Sequence, residues 1–263
     1  MWEILQCIKK PAGAANAASK KFNLLKNNPM GYFLLSILAG MYIGFGVLLA
    51  FTVGSQLGTN PAANLVKGLI FGIALSLVII PGAELFTGNN FVMGAGLLEK
   101  KVNIGQAIIL WLICWLGNLV GAVLLSWIFT ASGLDLPLVA VAFITKAAAA
   151  KMSAPAVQLV LRGILCNILV CLAVWSGFQT KDDTAKLIMV WWCLLAFFSS
   201  GFEHSVANMT TLVVALMNPA KAAGIISISG LWYNLLWVTL GNMIGGIVFV
   251  ALPYWLGSRN KNN

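Results

Sequence analysis

The chain has 263 residues, 60% of them hydrophobic and only 9% charged, with a mean hydropathy of +0.92. A soluble domain carries about 25% charged residues, so a water-soluble fold is excluded, and short connections leave room for about six spans of about 20 residues in one membrane domain. The formal charge of +9 does not point to nucleic acid, because the basic residues fall between apolar segments rather than on a polar surface with a recognisable fold.

Residues 1–29 are polar and basic, lack the apolar centre of a cleavable signal, and are predicted to stay outside the bilayer on the side of synthesis. Apolar runs between charged or Pro/Gly-rich breaks predict spans at 31–53, 65–97, 105–131, 155–177, 186–217 and 228–256. The second and fifth are too long for one straight crossing. Between the third and fourth, residues 132–154 carry Ala147 to Ala150 flanked by Lys146 and Lys151, a short helix on the external face. An even number of spans puts both termini on one side. Eleven Lys and Arg residues fall on that side and five on the other, which predicts cytoplasmic termini in the inner membrane of a bacterium. The domain plan is a cytoplasmic segment 1–29, a membrane domain 30–257 with halves near 30–131 and 155–257, and a tail 258–263.

The halves repeat. Gly82-Ala83-Glu84-Leu85-Phe86-Thr87-Gly88-Asn89 matches Gly201-Phe202-Glu203-His204-Ser205-Val206-Ala207-Asn208 at Gly, Glu and Asn, an offset of 119 (201 − 82). Leu116-Gly117-Asn118 with Gly121 matches Leu240-Gly241-Asn242 with Gly245, an offset of 124 (240 − 116). Three spans per unit is odd, so the second copy enters the membrane from the opposite side. Such inverted repeats place a substrate path near the midplane, beside discontinuous helices. Both Glu motifs fall within the overlong spans, where Pro81, Gly82, Gly88 and Gly201 allow the chain to break. Non-helical backbone at that depth needs protein or a water-filled cavity to satisfy it. The paired glycines of the third and sixth spans read as close helix packing, with no chemistry assigned.

Two triplets, Asn60-Pro61-Ala62 and Asn218-Pro219-Ala220, imitate a water-channel signature. Their offset of 158 (218 − 60) disagrees with the repeat, so they read as an Asn cap with Pro in the first turn. The five cysteines, Cys7, Cys114, Cys166, Cys171 and Cys193, form no C-x-x-C pair and read as small buried hydrophobes.

Ionisable residues at membrane depth are functional hypotheses by default. For Glu84 and Glu203 two roles stand open: accepting the backbone amides freed by a break, or lying directly along the path. His204, the one histidine of the chain, is either a satisfied structural group or a proton-exchanging, anion-contacting one, its unperturbed pKa being about 6.5. Thr87 in the other break either caps the half-helix or donates its hydroxyl to an anion or to His204. Phe71, Leu75, Phe86 and Phe197 are core packing or hydrophobic constrictions. Lys151 is a cation placed to concentrate anions at an external mouth.

These segments, with Asn167-Ile-Leu-Val-Cys-Leu-Ala-Val-Trp at 167–175, resemble the formate/nitrite transporter family over residues 16 to 257. The resemblance implies an all-α, aquaporin-like protomer of six spans in membrane lipid, five protomers around an axis, and one path for a small monovalent anion through each. It implies a cytoplasmic constriction of Phe71, Leu75, Leu85 and Phe86 and a periplasmic one at Phe197. Between them His204, Thr87 and Asn167 line a chamber, with Lys151 coupled electrostatically to Glu203 and Asn208. Family members handle formate, nitrite or hydrosulfide, and the likeness is nearest the hydrosulfide branch; a proton-coupled symporter using the same pore is the alternative. The first fifteen residues depart from the family pattern. An enzyme is not indicated: no H-E-x-x-H, no G-x-S-x-G and no second histidine is present, so no catalytic residue, metal site or cofactor is predicted. A passive assembly or receptor subunit, a third class, would differ by carrying no ion flux.

Overall fold

The computed structural model describes residues 11–133, 138–217 and 225–259, and of 138–141 the backbone alone. Cys7, Lys9, Lys10, the Asn218-Pro219-Ala220 triplet, Lys221 and the tail from residue 260 lie outside them. The described chain is all helical. In order it forms α1 Ala12–Asn27, α2 Pro29–Leu57, α3 Ala63–Phe71, α4 Ile73–Ile79, α5 Phe86–Leu98, α6 Ile104–Ala131 and α7 Leu138–Ser153. Then follow α8 Ala156–Gln179, α9 Asp183–Ser199, α10 Ser205–Met217, α11 Ile228–Gly246, a π-turn Ile247–Ala251 and α12 Leu252–Gly257.

Among the described residues four uninterrupted segments are long and apolar enough to cross a membrane: Pro29–Leu57, Ile104–Ala131, Ala156–Gln179 and Ile228–Gly257. Their starts follow from local chemistry. Asn28 accepts from the Gly31 amide with Pro29 in the first turn, Asn103 and Gln106 form a reciprocal capping box, and Ser227 accepts from the Gly230 amide. The second and fifth predicted spans are indeed interrupted, the first into α3, α4 and α5 and the other into α9 and α10. Asn60 behaves as a local cap, its side chain accepting from the Ala62 amide at 2.9 Å.

The two halves pack alike, α2 against α6 and α8 against α11. A Cβ on Gly121 would strike the Ile37 carbonyl, and one on Gly241 the Val160 carbonyl. The glycine spacing therefore brings backbone onto backbone, as expected. Cys114, Cys166, Cys171 and Cys193 are buried free thiols.

Helix α1, before the first span, is docked on the membrane domain. Ala14, Ala18 and Leu25 of α1 are buried, Ala18 packs near Gly96 of α5, and the Ser19 hydroxyl donates to the Lys101 carbonyl at 3.0 Å. Its alanine-rich face is narrow enough to lie flat on α5.

Candidate permeation path

Each break is built from the same set of bonds. In the first, Gly82 has φ +85°, a left-handed conformation that glycine adopts without strain. The Ala83 amide turns back to the Val78 carbonyl at 2.9 Å and the Glu84 amide reaches the Leu35 carbonyl of α2 at 3.2 Å. Asn118 of α6 closes the gap: its Oδ1 accepts from the Phe86 amide at 2.9 Å, and its Nδ2 donates to the carbonyls of Glu84 at 2.9 Å and Ser36 at 2.7 Å. In the second break Gly201 has φ +71°. There Phe202 turns back to Phe197, Glu203 reaches Arg162 of α8, and Asn242 of α11 bonds the Ser205 amide and the carbonyls of Glu203 and Gly163 at 2.8–2.9 Å. The backbone groups that an interrupted helix leaves open are thus met by protein.

Of the two roles left open for the glutamates, accepting the freed amides is not the one present: Asn118 and Asn242 accept the Phe86 and Ser205 amides, and backbone carbonyls take those of Ala83, Glu84, Phe202 and Glu203. The glycines of the third and sixth spans keep their packing role, and the asparagine beside them carries the polar task. Their Leu-Gly-Asn repeat was the available signal. The glutamates serve otherwise. Glu84 Oε1 accepts from Lys21 Nζ at 2.6 Å and its Oε2 from Asn89 at 3.0 Å; Glu203 Oε2 accepts from Lys151 Nζ at 2.8 Å and from Asn208 Nδ2. Asn208 also donates to Asn234, which donates to the Lys151 carbonyl at 2.9 Å. Lys151 therefore meets Glu203 and Asn208 as one network, and Lys21 on α1 is its counterpart in the first half. Lys21, Asn89 and Asn234 went unrecognised in the sequence, although Asn89 is the repeat partner of Asn208.

Thr87 and His204 come from opposite halves and meet, both buried, with Thr87 Oγ1 3.0 Å from His204 Nε2. The tautomer follows from the other ring nitrogen. Nδ1 accepts from the Ala207 amide at 3.0 Å, so it carries no proton, and in the neutral ring Nε2–H donates to Thr87. His204 thereby caps its own half-helix as well as facing Thr87, the satisfied structural role that the sequence left open. Asn167 Nδ2 donates to the carbonyls of Thr87 at 3.2 Å and Asn242 at 2.6 Å.

A cavity lies at each break. One of about 810 Å³ is lined by Lys67, Lys151, Phe197, Phe198, His204 and Asn208; the other, about 450 Å³, by Lys21, Leu75, Glu84, Leu85, Gly88 and Asn89. Leu85 stands at the repeat position of His204, so an apolar and a titratable residue occupy equivalent positions of the two halves. The aromatic grouping differs from expectation. Phe71 stacks on Phe198 at 4.2 Å and meets Phe197 edge-on at 5.7 Å, so it belongs with Phe197, whose ring lies 5.8 Å from that of His204 and nearly parallel to it. Phe86 faces a third, apolar cavity with Trp111 and Trp115, away from Leu75 and Leu85. The helix restarts at Phe86, and one residue of helix turns its side chain about 100° from that of Leu85.

The braces make a stability prediction. Asn242→Ala leaves one amide and two carbonyls without their side-chain partner, and each uncompensated buried group costs about 1–3 kcal/mol. Thermal unfolding of purified protein in detergent is expected at a clearly lower temperature than wild type, and an unchanged Tm would show that water replaces the brace at no cost.

Two crossings each broken beside a cavity, related by an inverted repeat and joined by the Thr87–His204 contact, define a multi-pass membrane transport protein. Comparison with known proteins makes the assignment specific. The model of the family described as "Formate/nitrite transporter" matches residues 12–256. "Nitrite transporter NirC" of Escherichia coli (strain K12) is 44% identical over 253 residues, covering 95% of this chain and 91% of that protein. A solved "FNT family ion channel" superimposes with TM-score 0.90 at 40% identity over 97% of this chain and 99% of that one. A "Pentameric formate channel with formate bound" does so with TM-score 0.78 at 30% identity over 88% and 98%. The chain belongs to the formate/nitrite transporter family, and it is a transporter rather than an enzyme. These relatives lend no support to a place in the hydrosulfide branch.

Proposed function

We propose that the chain is a channel for small monovalent weak-acid anions, nitrite and formate foremost, in the inner membrane of a bacterium, with both termini cytoplasmic. The observation that carries this reading is the Thr87–His204 contact of 3.0 Å at the point where half-helices α5 and α10 both begin, with a cavity at each break. Helix N-termini favour negative charge. An anion arriving there is offered the Thr87 hydroxyl and the Nε2–H of His204, with Asn167 holding the Thr87 carbonyl in place, while Leu75 and Leu85 on one side and Phe71 and Phe197 on the other form the apolar constrictions. Lys151, with Glu203 and Asn208, and Lys21, with Glu84, form a matched charged pair at each cavity. The membrane domain is read as 30–257, and the likeness to a pentameric channel favours five protomers.

The test is a stopped-flow panel of formate, nitrite and hydrosulfide on purified protein in liposomes. Nitrite and formate are expected to pass well above protein-free liposomes, and an absence of flux for all three would defeat the reading. A proton-coupled symporter is the second reading, supported by the single exchangeable proton on His204 Nε2. It differs in that an anion gradient alone gives no sustained current.

A further inference from the structure

We propose that the larger cavity holds an anion-capture station at Lys67, so that the two mouths of the path collect anions unequally; this rests on the channel reading above. The lysines of the two cavities are matched differently. In the smaller cavity Lys21 faces Glu84 at 2.6 Å and Lys186 faces Asp183 at 2.8 Å. In the larger one Lys151 is neutralised by Glu203, while Lys67 and Lys146 pair with no carboxylate among the described residues. Among the described residues, the uncompensated positive charge lining the two cavities therefore sits in the larger one.

Lys67 is the better held of the two. Its Cδ lies 2.7 Å from the point a Cβ on Gly54 would take, and the Phe143 ring edge lies 3.1 Å from the same point. The missing side chain of Gly54 gives the lysine stem its seat. The Nζ stands 5.2 Å from the centroid of the Phe143 ring, and an aromatic face attracts a cation without cancelling its charge. Lys67 is half-buried and Lys146 exposed, so Lys67 is the less screened. Asn64, three residues earlier on α3 and on the same cavity, adds an amide donor. An ammonium with an amide beside it, in a space open to water, suits a small monoanion such as nitrite or formate. An anion held there waits in the same cavity as Phe197 and His204, and its local concentration at the chamber rises.

The experiment uses the full chain in liposomes, with initial formate rates at ionic strengths of about 10 and 200 mM set by an impermeant salt. Lys67→Gln is expected to raise the apparent KM about threefold to tenfold at the lower ionic strength, leave the maximal rate unchanged, and differ little from wild type at the higher. Lys186→Gln, in the other cavity, is expected to shift neither. Crystals soaked in bromide are expected to show an anomalous peak beside Lys67 Nζ in the wild type and none in Lys67→Gln. An unchanged KM at low ionic strength overturns the proposal, and with a bromide peak present it means an adventitious ion only. If the peak appears but the wild type passes no anion, the channel reading fails while the capture site stands.

Discussion

Lys151→Glu is expected to reduce anion flux at least about a hundredfold in proteoliposomes. The Lys151 side chain is 20% exposed and that of Glu203 5%, at a separation of 2.8 Å, so the pair is largely shielded from water. Breaking a buried pair by removing one partner costs about 3–5 kcal/mol, and the substitution also sets two carboxylates against each other. On the proposed path that repulsion falls at the entrance from the larger cavity. Because so large a cost endangers folding, Lys151→Gln and the exchange Lys151→Glu with Glu203→Lys belong in the same series. The exchange restores an ion pair and is expected to recover yield and thermal stability while flux stays low, since the positive end now lies at the break. A folded Lys151→Glu protein with wild-type flux at low salt would take Lys151 off the path.

The second large effect concerns His204. His204→Asn is expected to fold and to pass anions with an altered pH profile, because the asparagine Oδ1 can still accept from the Ala207 amide, asparagine being among the best N-caps, while the titrating ring is gone. His204→Phe removes the cap, worth about 1 kcal/mol, and also the donor to Thr87, so selectivity among nitrite, formate and chloride is expected to change with it. Nδ1 accepts from the Ala207 amide at 3.0 Å, so a second proton on the ring would occupy that lone pair and cost the cap bond. Flux from about pH 5 to 8 brackets the unperturbed histidine range. If His204→Asn reproduces the wild-type pH profile at equal protein density, ring titration plays no part in passage.

The breaks and their inverted relation were legible because Gly, Glu and Asn recur in one short segment of each half. The meeting of Thr87 with His204 then followed from symmetry. Asn118 and Asn242 were hidden because each sits more than thirty residues from the backbone it braces, in a stretch whose glycine spacing reads fully as packing. Phe71 was grouped with Leu75 because they lie one turn apart on the sequence. The chain between them, however, passes from α3 to α4 at Gly72, and the ring of Phe71 turns toward α9. Lys21 escaped notice because a basic segment before the first span already had a sufficient meaning in the count of charges that sets orientation. Only the docking of α1 on α5 brings it to Glu84.

The position of the two braces along the chain also orders the birth of the protein. The first break is synthesised 32 residues before Asn118 and the second 37 before Asn242, and the ribosome delivers them in that sequence. Until the following span emerges, each interrupted segment carries open amides and carbonyls that lipid cannot satisfy. A nascent chain ending at residue 100 or 225 is therefore expected to hold its break less firmly than the finished protein does. Each half is sealed by one asparagine of its own last span.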